Sequence, residues 1–215
     1  MIYTTMCIGS HWVNRFSHEI NNFAKFNKVI VLTDDVSKFD NCEVIEHNKD
    51  LFSYYDKLIL LFNVMQDKKE RVAYVDADKF STLPKIEYDN ESCYVYNILN
   101  KDAFVSILEE LDINKLISKI NKKINSDFKF THYLQENLIS IPYTNNFLDI
   151  KKDIELCKEV VEEYCNQRDW NNLQLKRYSE HGVGYAEGSA LTVILSKYNI
   201  SSKNMYNKFQ EKSIL

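Results

Sequence analysis

The stretch RVAYVDADKF, residues 71–80, carries two carboxylates one residue apart, Asp76 and Asp78. Val72 to Val75 reads as a short buried strand. Extended residues two apart point the same way, so both acids can face one ligand at the strand exit. Like charges so close repel unless a cation lies between them, and oxygen ligands suit Mg2+ or Mn2+. The spacing also arises by chance, so its setting decides what it means. A second candidate is EHGVGYAEGSALTVIL, which holds Gly182, Gly184 and Gly188, three of the four glycines in the chain. Glycines gathered in one place imply unusual backbone angles or close approach to a ligand. The acid among them, Glu187, makes this loop a candidate site; the plainer alternative is a structural turn.

These residues need a scaffold. MIYTTMCIG reads as a first strand ended by Gly9. Phe16, Ile20, Phe23 and Ala24 then recur at helical spacing. KVIVLTD is a continuous apolar run, as in a parallel strand buried on both faces, and CEVIEH is a third strand. SYYDKLILLFNVMQ reads as a helix with Ser53 at its N-cap, and RVAYV is the fourth strand. Strand and helix therefore alternate through residues 1–80, which predicts a Rossmann-like α/β fold with a mainly parallel central sheet flanked by helices. Ligands of such sheets bind beyond the carboxyl ends of the strands, where Asp76 and Asp78 stand. Further on, ESCYVYNIL and ENLISI read as strands. KDAFVSILEELDINKLISKINKKI reads as a helix with Phe104, Ile107, Leu108 and Leu111 on one face. KKDIELCKEVVEEYC reads as an amphipathic helix through Ile154, Cys157, Val161 and Tyr164, and SALTVIL starts another.

At 215 residues the chain fits one domain able to bury a core. A net charge of −4 excludes a wholly basic nucleic-acid binder, although KLISKINKKINSDFKF is locally lysine-rich. Five cysteines with no Cys-x-x-Cys suggest reduced thiols and a cytoplasmic location. No apolar run is long enough to span a membrane and no signal peptide opens the chain.

Three places carry a resemblance to GT-A glycosyltransferases, whose signature is an Asp-x-Asp at the end of a strand in a nucleotide-binding half. More narrowly they resemble the retaining family of the blood-group A and B transferases and α-1,3-galactosyltransferase. MCIGSHWVNRF is similar to that family's Phe-Ala-Val-Gly-x-Tyr stretch, with His11 in place of the Tyr. It implies that Met6, Cys7, Ile8 and His11 line a uracil and ribose pocket. VIVLTDD and RVAYVDADKF resemble the family's second strand and its Asp-Val-Asp strand. They imply Asp76 near the ribose and metal and Asp78 as the firmer metal ligand. YAEGSALTVIL resembles Asp-Glu-Ser-His-Leu-Asn, with Ala186 in place of an Asp that grips the donor sugar, and implies Glu187 at the catalytic acid position. The resemblance thus implies a single GT-A domain over 1–215, with residues 1–80 as the nucleotide-binding half and 81–215 as the acceptor-binding half. It implies transfer of a sugar from a nucleotide-diphosphate sugar, a UDP-sugar, to an acceptor hydroxyl with Mn2+ or Mg2+. The acceptor is a saccharide or, as in compact phage glycosyltransferases, a hydroxymethylated DNA base. Retaining and inverting outcomes both remain open.

Two other classes compete. A nucleotidyltransferase also pairs acids and a metal in a Rossmann-like half, but usually opens with a Gly-rich loop, and here the first strand ends in one Gly. A non-catalytic nucleotide-sugar or glycan-binding module would bind without turnover. Several side chains have two readings. His181 is a third metal ligand or an ordinary loop residue. Lys57 touches a phosphate or is a solvated helix lysine. Thr33, Asp34 and Asp35 meet a ribose or cap a helix N-terminus. Trp12 stacks on a base or packs at the core rim.

Overall fold

The computed structural model describes residues 1–48, 51–100, 107–164, 166–169, 174–177 and 186–206. Apolar β-branched runs form the central strands β1 (Ile2–Met6) and β2 (Lys28–Thr33). Between them lies helix α1 (Ser10–Ala24), which buries Val13, Phe16, Ile20 and Ala24 along one stripe. Phe23 is only partly buried and packs edge-on against Tyr3 and Phe80. The chain continues through β3 (Glu43–Glu46), β4 (Leu51–Ser53), α2 (Asp56–Lys68) and β5 (Val72–Val75), all four residues of β5 being buried. Next come β6 (Cys93–Asn100), α3 (Ile107–Ile124), β7 (His132–Ile141) and α4 (Phe147–Glu162). The last elements are β8 (Asn166–Asp169), β9 (Gln174–Arg177), α5 (Ala186–Lys197) and β10 (Ser202–Asn204).

Seven strands form one sheet in the order β10-β6-β7-β5-β1-β2-β3. The pairs β10–β6, β5–β1, β1–β2 and β2–β3 are parallel, while β7 is antiparallel to both β5 and β6. The fold is therefore α/β with a mixed, mostly parallel sheet, compatible with a Rossmann-like arrangement. Residues 1–80 and 81–215 both contribute strands to it, so neither half has a sheet of its own. The reversed β7 was not expected from sequence. It also starts earlier than ENLISI, because His132–Gln135 pair with Asn97–Asn100 beyond the reach of β5. The antiparallel sheet β4-β8-β9 was not expected either.

Helices cover both faces. One core joins α1, the 3-10 turn Ala77–Thr82 and residues such as Val29, Val31 and Leu138. The other joins α2, α3, α4 and α5 to Ile30, Val72, Tyr74, Leu134 and Ile139. In α4 the expected stripe of Ile154, Cys157, Val161 and Tyr164 is buried. The face expected at Phe104, Ile107, Leu108 and Leu111 lies outside the residues whose side chains are described; α3 buries Ile113, Leu116, Ile117, Ile120 and Ile124. Ala186 to Leu195 of α5 are all buried, as for a helix surrounded by protein. Ser53 is not the N-cap of α2. It ends β4, its hydroxyl accepts from the Tyr55 N–H at 3.1 Å, and its own N–H donates to Asp56 at 3.0 Å.

The strand order fixes where a ligand would bind. From β1 the chain runs outward to β2 and β3, then returns to β5 on the other side of β1. The order reverses between β1 and β5, and the crevice beyond their carboxyl ends is the ligand position of open α/β sheets. Residues 6–9 and Asp76 flank that point.

Candidate functional site

Four charged side chains from four elements meet near the carboxyl end of β5. Asp76 follows the strand, and its N–H donates to the Asn137 carbonyl at 2.9 Å. The Asn137 amide donates to Asp76 Oδ2 at 2.7 Å, and the Tyr74 hydroxyl also bonds this carboxylate. Lys57 sits in the first turn of α2, Glu136 on β7 and Glu187 in the first turn of α5. The Lys57 ammonium lies 3.5 Å from Glu136 Oε1 and 3.6 Å from Glu187 Oε1. Lys57, Glu136 and Glu187 are only 4%, 4% and 8% exposed, so these charges interact with little solvent screening.

Gly188 brings the two glutamates together. A Cβ there would stand 2.1 Å from the Leu134 carbonyl oxygen and 2.4 Å from Glu136 Oε2, so only glycine lets α5 lie this close to β7. Thr192 locks the contact, accepting from the Leu134 N–H at 2.9 Å and donating to the Gly188 carbonyl at 2.7 Å. The close approach expected of this glycine is thus to a strand. Glu136 Oε2 is buried with no hydrogen-bond donor.

The electrostatics follow from three carboxyls facing one ammonium. Burial opposes the charge on Lys57, but Asp76, Glu136 and Glu187 together hold its pKa well above the usual lysine value. Burial, reinforced by the charge of Glu187, raises the Glu136 pKa well above the carboxylate range. Burial also raises that of Asp76, against the pull of Lys57 and with a contribution from Asp78.

The expected metal pair is arranged differently from the extended pair read in the sequence. The strand stops at Val75 and Asp78 lies on the 3-10 turn Ala77–Thr82. Asp78 is exposed and pairs with Lys79 at 3.1 Å, whereas Asp76 turns into the cluster. The two remain electrostatically linked, since the charge on Asp78 raises Asp76. Among the described residues no group of three or more His, Cys, Asp or Glu is placed to hold a metal. Two carboxylates leave most of a Mg2+ shell to phosphate and water oxygens, so a cation held here would have to arrive with a phosphorylated ligand.

At the first turn Met6, Cys7 and Ile8 are 9%, 1% and 3% exposed and pack into the two cores. Burial, with the nearby charge of Asp34, pushes the Cys7 thiol up to about 12. The side chains of Met6, Cys7 and Ile8 are thus committed to the core, and the exposed side chains of residues 6–11 are Ser10 and His11. Gly9 takes φ 87°, and its N–H donates to both Asp34 oxygens at 2.9 and 3.0 Å. Asp34 therefore pins the β1–α1 turn, and Asp35 caps the 3-10 turn Val36–Lys38 through Ser37. Trp12 stacks on Phe16 at the core rim. His181, Gly182 and Gly184 lie outside the described residues.

Sequence reasoning missed Glu136 and favoured a solvated Lys57. The signal for the first was present: Gln135, Glu136 and Asn137 break the apolar run of the strand YLQENLISI. No family model matches this chain, and no curated protein matches it significantly. Among the described residues no helix is long and apolar enough to cross a membrane.

Proposed function

We propose that this chain is a metal-dependent glycosyltransferase that moves a sugar from a nucleotide-diphosphate sugar to an acceptor hydroxyl. The observation that carries this reading is that half-buried Asp76 and buried Glu187 are brought into one charged cluster around Lys57, beside the reversal of strand order. A diphosphate leaving group gains negative charge as the anomeric bond breaks, and a bound Mn2+ or Mg2+ would supply the compensating charge. Asp76 and Asp78 would hold that ion. The sugar turns oxocarbenium-like, and an anion nearby lowers the barrier. Glu187, held in a dry site, supplies that charge or orients the acceptor hydroxyl. The donor base lies over the β1–α1 turn, against backbone and His11.

Thermal-shift measurements with UDP, GDP, CDP and their sugars, with and without Mn2+, test this directly. Stabilisation by one nucleotide family that requires Mn2+ and is lost in Asp78→Asn is expected. Nucleotide-sugar binding that ignores both EDTA and this substitution removes the metal from the reading, and no stabilisation by any donor removes the reading itself.

A further inference from the structure

The proposed chemistry assigns no task to Lys57 or Glu136, yet burying them is costly. Both ion-pair distances exceed those of a direct charge-assisted hydrogen bond, so the ammonium stands between two acids and belongs to neither alone. We infer that Lys57 and Glu136 are positioning residues for Glu187, with the ammonium shared between the two carboxylates to fix the Glu187 side chain at the carboxyl end of β5. This rests on the reading of Glu187 as the acting acid.

Three anchored elements converge on this point. Glu187 leaves an α5 backbone fixed to β7 through Gly188 and Thr192, so its side-chain torsions are the remaining freedom. The start of α2 is held by Asp56, which accepts from the Ser53 N–H at 3.0 Å and from Lys158 at 2.8 Å. The rings of Tyr54 and Tyr74 lie 5.8 and 5.7 Å from the Lys57 ammonium and favour a cation there. Glu136 is pressed against Gly188, which seats it beside Glu187. Without the ammonium, two acids at close quarters would separate and Glu187 would lose its place.

The test uses Lys57→Met, Glu187→Gln and the double variant, in the wild-type chain and in a Glu136→Gln background. That background keeps the test open if Lys57→Met does not fold, because the loss of the lysine then leaves one fewer buried acid. Urea unfolding should show coupling between Lys57 and Glu187 of about tenfold in the unfolding constant. Effects that multiply to within about twofold overturn the inference, whatever the donor is. With a donor in hand, Lys57→Met should lose about 100-fold in kcat, with the donor KM within about threefold. Normal kcat per folded molecule also overturns it and leaves a purely structural cluster. A wild-type protein that turns over no nucleotide sugar sinks the glycosyltransferase reading, while the unfolding cycle still decides whether Lys57 holds Glu187.

Discussion

Helix α5 carries a lysine–carboxylate cluster at each end, and the two are built by opposite rules. At its last residue, Lys197 donates to Asp153 at 2.7 Å and to the Ile124 carbonyl at 2.7 Å. Tyr198 donates to the same Asp153 oxygen at 2.8 Å. One cation meets one anion and every contact is short. At its first turn, Glu187 joins two further acids around one Lys57, the ion-pair distances are 3.5 and 3.6 Å, and a carboxylate oxygen is left without a donor. A buried charge is tolerated when it is paired and hydrogen-bonded, and the Lys197 end satisfies that rule. The Lys57 end does not, and it stands beside the reversal of strand order. Buried titratable groups that the fold does not need, in such a place, are candidates for function.

The largest expected effects are a pair that should not cross over. Lys197→Met leaves Asp153 buried without its cation and should cost roughly 2–3 kcal/mol of stability. Its turnover per folded molecule should be unchanged. Glu187→Gln should lose about 100-fold or more in turnover with nucleotide binding nearly intact, because its charge matters as the sugar becomes cationic. Its stability should fall by only about 0.5–1 kcal/mol, the scale of an acid at a helix N-terminus. Urea unfolding and steady-state kinetics on both variants check this. A Lys197→Met protein with impaired kcat, or a Glu187→Gln protein that transfers normally, erases the distinction between the two ends.

A smaller effect separates the ends by pH. Glu136 has a folded pKa raised well above its ordinary 4.5. Between those two values the unfolded chain has released this proton and the folded one keeps it. The stability contribution is therefore complete below about pH 4.5 and is lost as pH rises through the folded pKa, at about 1.4 kcal/mol per pH unit for one proton. Asp76, also raised, acts in the same direction. Glu136→Gln should remove the Glu136 share, so its stability should decline less steeply above pH 4.5 than that of the wild type. Denaturation midpoints across pH 5 to 9 measure it, and parallel profiles for the two proteins would contradict the charge assignment.

The two ends of α5 also show what a sequence reveals. Strands β1, β2 and β5 and the faces of α1 and α4 were legible because apolar periodicity reports burial of an element against its neighbours. The direction of β7 was not, since alternation is the same whichever way a strand runs. Lys57 was misjudged because its burial depends on acids brought in by β7 and α5, far along the chain, and local pattern holds no trace of them. The strand end at Val75 was read correctly, but the extended alternation assumed for Asp76 and Asp78 does not hold beyond it, because the backbone there turns into a 3-10 helix. Glu187 was singled out by its glycines, and Gly188 proved to matter for helix–strand approach.

The smallest expected effect concerns the other side of the strand reversal, the β1–α1 turn. His11 is exposed on the first turn of α1, beside Trp12 at a ring distance of 5.6 Å, while the side chains of Met6, Cys7 and Ile8 before it are committed to the core. Met6, Cys7 and Ile8 can meet a base only through their backbone, so Ser10 and His11 are the exposed side chains this stretch could offer a nucleotide, and His11 is the one with a ring. Removing an exposed imidazole should leave stability within about 0.5 kcal/mol. A lost contact to a base or ribose should weaken nucleotide binding by on the order of 1 kcal/mol, or roughly fivefold to tenfold. His11→Ala should thus bind the free nucleotide more weakly by calorimetry, with an unchanged unfolding midpoint and unchanged kcat at saturating donor. A fall in kcat would move His11 toward the reacting sugar and away from the base. An unchanged dissociation constant would take the base off this turn and leave the Lys57 side of the crevice as the donor's anchor.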